Sequence, residues 1–470
     1  MRIAGQAYSS MSLAEIECIH RNMLRILSEM GMIIQNRALL DRIADAGLEV
    51  DFEAERVRFP HQFVEAFLSE AEKYDWDHHQ PSISASAGVY HSKFHDPATN
   101  TLTSWTEESL AFYFGLARQL PHIGSASMLG NRLLAAPQLE PLYERYYCWK
   151  YGAVPGGSIY LDEVCPYLLD LYQARSDVLT QSIQQVFHAT VYLVPALKLG
   201  RHEAYQVVYF LERGLHVGIG GSMLTMGADA PVTLAGAVTL NLAEQIALRI
   251  LEWIFGGIKR LHIGSSISVL DMRTTIRPFG RPEMPVANLM TAQLARYYGA
   301  SFNGHAGLTD AKLPSVESGA QKMLSAVPTL LAGGSLWVDA GLMAVDEVCS
   351  PIQMVLDNEM ISYLKHFTRE YEVSDGAVGL ETILEAGPGG FYIDKPHTAQ
   401  YFRAEHWNPT IWSRQMLGSW IESGSKLDID RAREMALAVK ERMQMEAHIS
   451  NDFEAEMLRI IRKAERELAR

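Results

Sequence analysis

The chain has 470 residues, of which 48% are hydrophobic, 20% charged and 9% aromatic, the composition of a globular protein with a sizeable core rather than of a disordered one. Its formal net charge is −14, with no cluster of basic residues to track a phosphate backbone, which argues against a nucleic-acid partner. The 4 cysteines, Cys18, Cys148, Cys165 and Cys349, are scattered without a C-x-x-C pair and read as reduced thiols rather than a disulfide framework.

The N-terminus acquires acidic residues early and lacks the apolar run of a signal peptide. No stretch reads as both long and apolar enough to cross a bilayer, so a cytoplasmic, membrane-free protein is expected. Ser12 and Glu15 have capping-box spacing, and Ile16, Ile19, Met23, Ile26 and Leu27 follow at helical intervals up to Gly31. A second amphipathic stretch stops at Gly47; a short polar strand-like piece then leads through Pro60 into a third helix. Residues 1–80 are therefore expected to be an N-terminal helical extension, 81–425 a catalytic barrel and 426–470 C-terminal helices.

From about Ser82 short β-prone runs, such as 88–90 and 216–219, alternate with longer helical stretches. The clearest unit begins at His216. It reads strand, Gly-rich loop, a helix opening near Pro231 and ending at Gly256–Gly257, and a strand over 260–264. A helix over 286–298 then leads to Ser301–Asn303, and one over 316–331 leads to a strand at 334–338. Such repeated units place the chain in the α/β class, as a (β/α)8 TIM-type barrel with an N-terminal helical extension and additional flanking helices. The G-x-G-x-x-G of a dinucleotide-binding sheet is absent.

Adjacent His78 and His79, and His91 and His95 four apart, lack the context of a metal motif, and no metal site is expected. Gly220–Gly221–Ser222 and Gly389–Gly390 fit tight turns as well as anion cradles. Aromatics are more suggestive. Tyr143, Tyr146, Tyr147, Trp149, Tyr151 and Tyr160 lie near Pro155–Gly157, and Tyr90, Phe94 and Trp105 flank a loop; ring faces attract quaternary ammonium ions at ~0.5–2 kcal/mol per contact, although the same residues suit an ordinary core. Glu244, Asp339, and Glu381 with Glu385 are carboxylates in apolar surroundings. Asp339, at the end of a strand, is the candidate for an active mouth.

Taken in order, MSLAEIECIHRNMLRILSEMGMII, GGSMLTMGADAPVTLAGAVTLNLAEQIA, RPEMPVANLMTAQLARYYGASFNG, AGLTDAKLPSVESGAQKMLSAVPTLLAGGSLWVDAGLM, SPIQMVLDNEM and GPGGFYIDKPHTAQYFRAEHWNPTIWSRQ resemble the trimethylamine methyltransferase superfamily over nearly the whole chain. The resemblance implies a barrel enzyme that moves a methyl group from a methylated amine to the cobalt of a corrinoid protein. Archaeal trimethylamine enzymes place pyrrolysine in the segment matching Leu342–Asp346, where this chain has ordinary residues, so a quaternary amine such as glycine betaine, proline betaine or carnitine is the implied substrate.

The implied catalytic residues are Glu381 and Asp346. Tyr90 and Phe94 would form the cation cage with Tyr160 and Met343, and His91, His305, His397 or Arg403 would serve a substrate carboxylate. No cofactor is expected to be permanently bound: a separate corrinoid protein would carry the methylcobamide, and a second methyltransferase would pass the methyl on to tetrahydrofolate. A homo-oligomer is implied. The competing readings are a metal-dependent barrel lyase or hydrolase, and a non-catalytic protein that binds methylamines.

Overall fold

The computed structural model describes residues 9–468 apart from 131, 132, 134 and 444–446; the chain start, read above as lacking a leader, lies mostly outside them. The three N-terminal helices anticipated from spacing are present. Helix Leu13–Arg25 carries the reciprocal Ser12–Glu15 capping box, and Arg37–Asp45 and His61–Glu70 are helical. A small sheet was not anticipated in full: Met32–Ile34 pairs antiparallel with Arg56–Arg58 and parallel with Lys198–Leu199. The buried residues of the N-terminal helices belong to the same apolar core as the helix Leu234–Gly256.

The body is mixed α/β with parallel sheets. Ile83–Val89 is flanked in parallel by Ser335–Ala340 and by Ala126–Met128, and the latter pairs with Val154–Pro155. A lone parallel bridge from Ser158 to Thr190 continues to Thr190–Tyr192, which pairs with Gly218–Gly220. On the other side Ser335–Ala340 pairs with Asn303–Ala306, and a bridge from Ser301 reaches His262. Leu224–Met226 and Ile267–Val269, further along the same two segments, pair in parallel. A continuous closed ring of strand hydrogen bonds is not found among the described residues.

Outward-facing Ala85, Ala87, Val89, Leu336 and Val338 are packed under the helices. The alternate positions, Ser86, Gly88, Trp337 and Asp339, point to the opposite face, because successive strand residues alternate.

Helix Leu234–Gly256 ends where expected, on Gly257 in the left-handed region (φ 71). It corrects one expectation: it is long and apolar enough to span a bilayer, and 72% of its most apolar window is buried inside the protein. Its hydrophobicity serves contacts on nearly every face. Pro351–Phe367 follows the last strand, and beyond it residues 370–427 form an arm that is pinned to the body at 410–412, where Glu359 accepts the N–H groups of Thr410, Ile411 and Trp412 and Ile411 is buried. The helices Asp375–Val378, Leu380–Ala386, Pro396–Glu405 and Leu417–Glu422 contain no buried residue, and Phe391 and Ile393 are 81% and 87% exposed. The arm's base is tied to the N-terminal side of the strands, where Gln80 Nε2 donates to Glu370 (2.6 Å) and Arg369 pairs with Glu405 (2.8 Å).

Candidate active site

Small inner residues leave a hollow where barrel-like sheets normally carry bulky branched side chains. Gly220 leaves room for the Tyr192 ring, which a Cβ there would meet at 2.5 Å, and Gly88 lies against Tyr90 and Leu342. Tyr192, Tyr160 and Trp337 keep 47%, 44% and 38% of their surface accessible. Surrounding protein nevertheless pushes the Tyr192 and Tyr160 phenols upward through loss of solvation. Accessible rings enclosed by protein atoms are the signature of a walled cavity rather than of an outer surface.

Asp339 anchors the charge of this hollow. It is 4% exposed, and both carboxylate oxygens are engaged: Trp337 Nε1–H donates to Oδ1 at 3.2 Å, and His305 Nε2 lies 2.5 Å from Oδ2. Burial disfavours the charged imidazole, but the adjacent carboxylate outweighs it and raises the His305 pKa. Asp339 is thereby held in one orientation by a contact at each oxygen. Its field is the largest reason, ahead of burial, that the Tyr90 phenol is held far above its ordinary range and stays protonated.

The last strand continues into the hairpin Leu342–Met343 with Val348–Cys349, whose loop has an unusual backbone. Ala344, Val345 and Asp346 all have positive φ (54°, 74° and 153°), conformations costly for side-chain-bearing residues and most of all for a β-branched one. The loop is held in place by Ala344 N–H on Ala311 O (2.8 Å) and Val345 N–H on Thr309 O (2.9 Å). It presents Asp346 toward Tyr90 and Asp339. Burial, then repulsion from Glu347, pushes Asp346 up to about 6; Arg277 pulls it down and Asp339 adds to the rise.

Carboxylates fix the strand-end loops around the hollow. Glu244 accepts the N–H groups of Leu197 (3.0 Å) and Ser222 (2.6 Å). Asp310 accepts those of Phe279 (2.7 Å) and Gly280 (3.0 Å), and Asp357 accepts Gly341 N–H (2.7 Å) while paired with Lys322. Glu244 is therefore a loop anchor, and with Ser222 N–H already given to it, Gly220–Ser222 is a turn rather than a phosphate cradle.

Among the residues anticipated from sequence, the structure brings Tyr90, His305 and Asp346 together around Asp339 and leaves Tyr160 walled but accessible. Phe94 departs from its expected place: it is 3% exposed and packs on Trp105 (5.1 Å between ring centroids) and Phe112, because its strand turns that face into the core. Met343 is fully buried beside Ala311, Ala344 and Val348. His91 lines a separate cavity of about 590 Å3 at the rim, with Lys93, Lys312, Ala344 and Glu347.

Glu381, His397 and Arg403 all sit on the exposed arm; among the described residues none of the three is hydrogen-bonded to His305, Asp339 or Asp346, and His397 bonds instead to Ala377 O (3.1 Å). Of the aromatic run, Tyr143, Tyr146 and Tyr147 pack on one another, and Tyr143 and Tyr146 hydrogen-bond to Glu465 and Glu454 of the last helix. Trp149 packs on Tyr172 and Phe453. His95 bonds to Ser350 and Asn100, and no group of three or more potential metal ligands occurs among the described residues.

Sequence reading missed Tyr192, Trp337 and Arg277. The first two were legible in principle: Trp337 shares its strand face with Asp339 at i, i+2, and Thr190–Val191–Tyr192 has the same alternation.

Comparison with known proteins places these features in a lineage. The profile of the trimethylamine methyltransferase (MTTB) family matches residues 3–95 and 186–469. Trimethylamine methyltransferase MttB of Desulfitobacterium hafniense (strain DSM 10664 / DCB-2) is 23% identical over 94% of this chain and 91% of its own length. The glycine betaine methyltransferase of D. hafniense (strain Y51) is 24% identical over 88% of each. Methanosarcina thermophila MttB is 28% identical over 52% of this chain and 51% of its own length. With the profile matched over most of its length, the chain belongs to the trimethylamine methyltransferase family.

Proposed function

We propose that this methyltransferase demethylates a quaternary amine and delivers the methyl group to the Co(I) of a corrinoid carried by a separate protein. The observation that carries the reading is the hollow itself: the accessible faces of Tyr192 and Trp337 stand around a buried Asp339 whose charge is fixed by two hydrogen bonds. Rings attract such cations through their faces, and a carboxylate in a poorly solvated cavity adds Coulombic attraction. The relative named glycine betaine methyltransferase supports the same substrate type.

In the reaction the methyl carbon bonds to cobalt as its C–N bond breaks. The bonding pair stays on nitrogen, and a neutral tertiary amine leaves with no proton to supply. That suits a site whose Asp339 is occupied at both oxygens and whose Tyr90 stays protonated. The chain's residues then have two tasks, holding the cation away from water and aiming one methyl outward at the mouth. The corrinoid is a second substrate brought by its carrier, whose approach would lie over the strand ends near the rim cavity; no cofactor is permanently bound, and a further methyltransferase passes the methyl to tetrahydrofolate.

In this reading the parallel strands form a closed (β/α)8 barrel over residues 81–425, flanked by the helical extension 1–80 and by 426–470. The protein is cytoplasmic, and the apolar arm joins copies of the chain into a homo-oligomer. Anaerobic mixing of the purified protein with cob(I)alamin and a panel of quaternary amines tests the proposal. Methylcobalamin forming with at least one such amine is the expected spectrum. Turnover of trimethylamine alone, or of no amine in the presence of the native corrinoid carrier, would overturn it.

A further inference from the structure

The loop 270–282 joins Ile267–Val269 to the helix Glu283–Tyr298 and therefore lies at the mouth. Most of it faces solvent, with Met272 64% and Ile276 57% exposed. Arg277 turns the other way. Its Nη1 is buried and has no hydrogen-bond partner, although a buried donor left unmade carries its full desolvation cost.

The carboxylates of the neighbouring sequence bond to other groups. Both oxygens of Asp310 take the N–H groups of Phe279 and Gly280, and Glu283 pairs with Arg281 at 3.2 Å. Asp346 is close enough for its carboxylate to be favoured by the Arg277 charge, yet the two form no ion pair among the described residues. The mouth thus carries a guanidinium with an unfilled buried donor close to Asp346, whose charge also acts with that of Asp339 on Tyr90.

We propose that Arg277 is the residue that receives the carboxylate of a betaine-type substrate in this site and so sets its preference over a simple tetraalkylammonium ion. The inference deepens the quaternary-amine reading and rests on it for the cationic end only. A guanidinium suits the task because its planar edge offers parallel donors to both oxygens of a carboxylate. The opposite charges of the ligand then meet opposite charges of the site.

The test is calorimetric titration of the wild type, Arg277→Ala and Arg277→Lys with three probes: glycine betaine, tetramethylammonium and 3,3-dimethylbutyrate, the uncharged-head isostere of betaine. In Arg277→Ala, betaine and dimethylbutyrate should bind about 10- to 100-fold more weakly, the range for losing a charged hydrogen bond. Tetramethylammonium should bind at least as tightly as to the wild type, because it loses only a repelling charge, and for the two carboxylates Arg277→Lys should fall between, as a point charge without the fork. Equal weakening of all three probes would reduce Arg277 to a structural role, and undiminished betaine binding would also overturn the proposal. Wild-type protein that binds dimethylbutyrate through Arg277 but not tetramethylammonium would sink the cation reading while leaving the receptor standing. A wild type that binds none of the probes would remove both.

Discussion

Replacing Asp346 by Asn removes an ionisable charge from beside the hollow without changing its size. Its carboxyl titrates at about 6 in the folded chain, against an ordinary value of 3.8, so it is charged at neutral pH and neutral at pH 5. A cation about 6 Å away gains ~1.4 kcal/mol from that charge if the wet hollow has an effective dielectric of about 40, which corresponds to about tenfold in affinity.

By linkage the bound cation lowers the pKa of Asp346 by about one unit. The contribution of Asp346 to affinity should therefore be complete above about pH 6.5, fall about tenfold as the pH drops through 6 and 5, and level off below. Calorimetry with tetramethylammonium between pH 4.5 and 7.5 checks this, with Asp346→Asn expected to lose the step and to bind at the weaker level throughout. A wild-type profile flat across that window, or a step that survives in the variant, would refute the placement of Asp346 at the cation.

The same substitution should stabilise the protein at neutral pH. Because the folded pKa is raised, ionisation disfavours the folded state above it and costs nothing below the unfolded value; partial solvation discounts the gain to ~1 kcal/mol, read by urea denaturation at pH 8 and absent at pH 3.5. His305 has a raised pKa, so its proton is lost above the usual histidine range and leaves Asp339 unneutralised; a second rise in cation affinity should appear there and vanish in His305→Asn. Lys322→Ala strands Asp357 in the core, since the pair is fully buried at 2.7 Å, and should cost ~3–5 kcal/mol of unfolding free energy. Gly220→Ala should displace the Tyr192 ring and weaken betaine binding by several-fold while shifting the thermal midpoint little. Phe391→Asp with Ile393→Asp should reduce the mass seen by light scattering to that of a single chain.

Legibility from sequence followed how local the determinant was. The first helix announced itself through Ser12 and Glu15, and Asp339 through its position at a strand end, because both depend on neighbours in the chain. Phe94 and Met343 were misplaced because the facing of a short strand is set by what packs on it, here Trp105, Phe112 and the 311–348 cluster. His397 and Arg403 were read as site residues from resemblance alone and Glu381 from resemblance and its apolar neighbours in sequence, and no periodicity reveals that all three lie on an exposed arm. Arg277 was invisible because a loop without repeating pattern gives no hint of which side chain turns inward. The hollow went unread: Ser86 and Gly88 share one strand face, but only tertiary structure shows which rings enclose the space they leave.

The turn at Ala344–Asp346 has a consequence for how this protein could be altered. Each residue there occupies a conformation that glycine would adopt freely, so replacing Ala344 or Val345 by glycine should relieve the folded chain locally. The same exchange would let the peptide planes swivel and blur the direction in which the acidic tip points. A designer seeking a hardier catalyst would find heat tolerance and aim pulling against each other at that one bend.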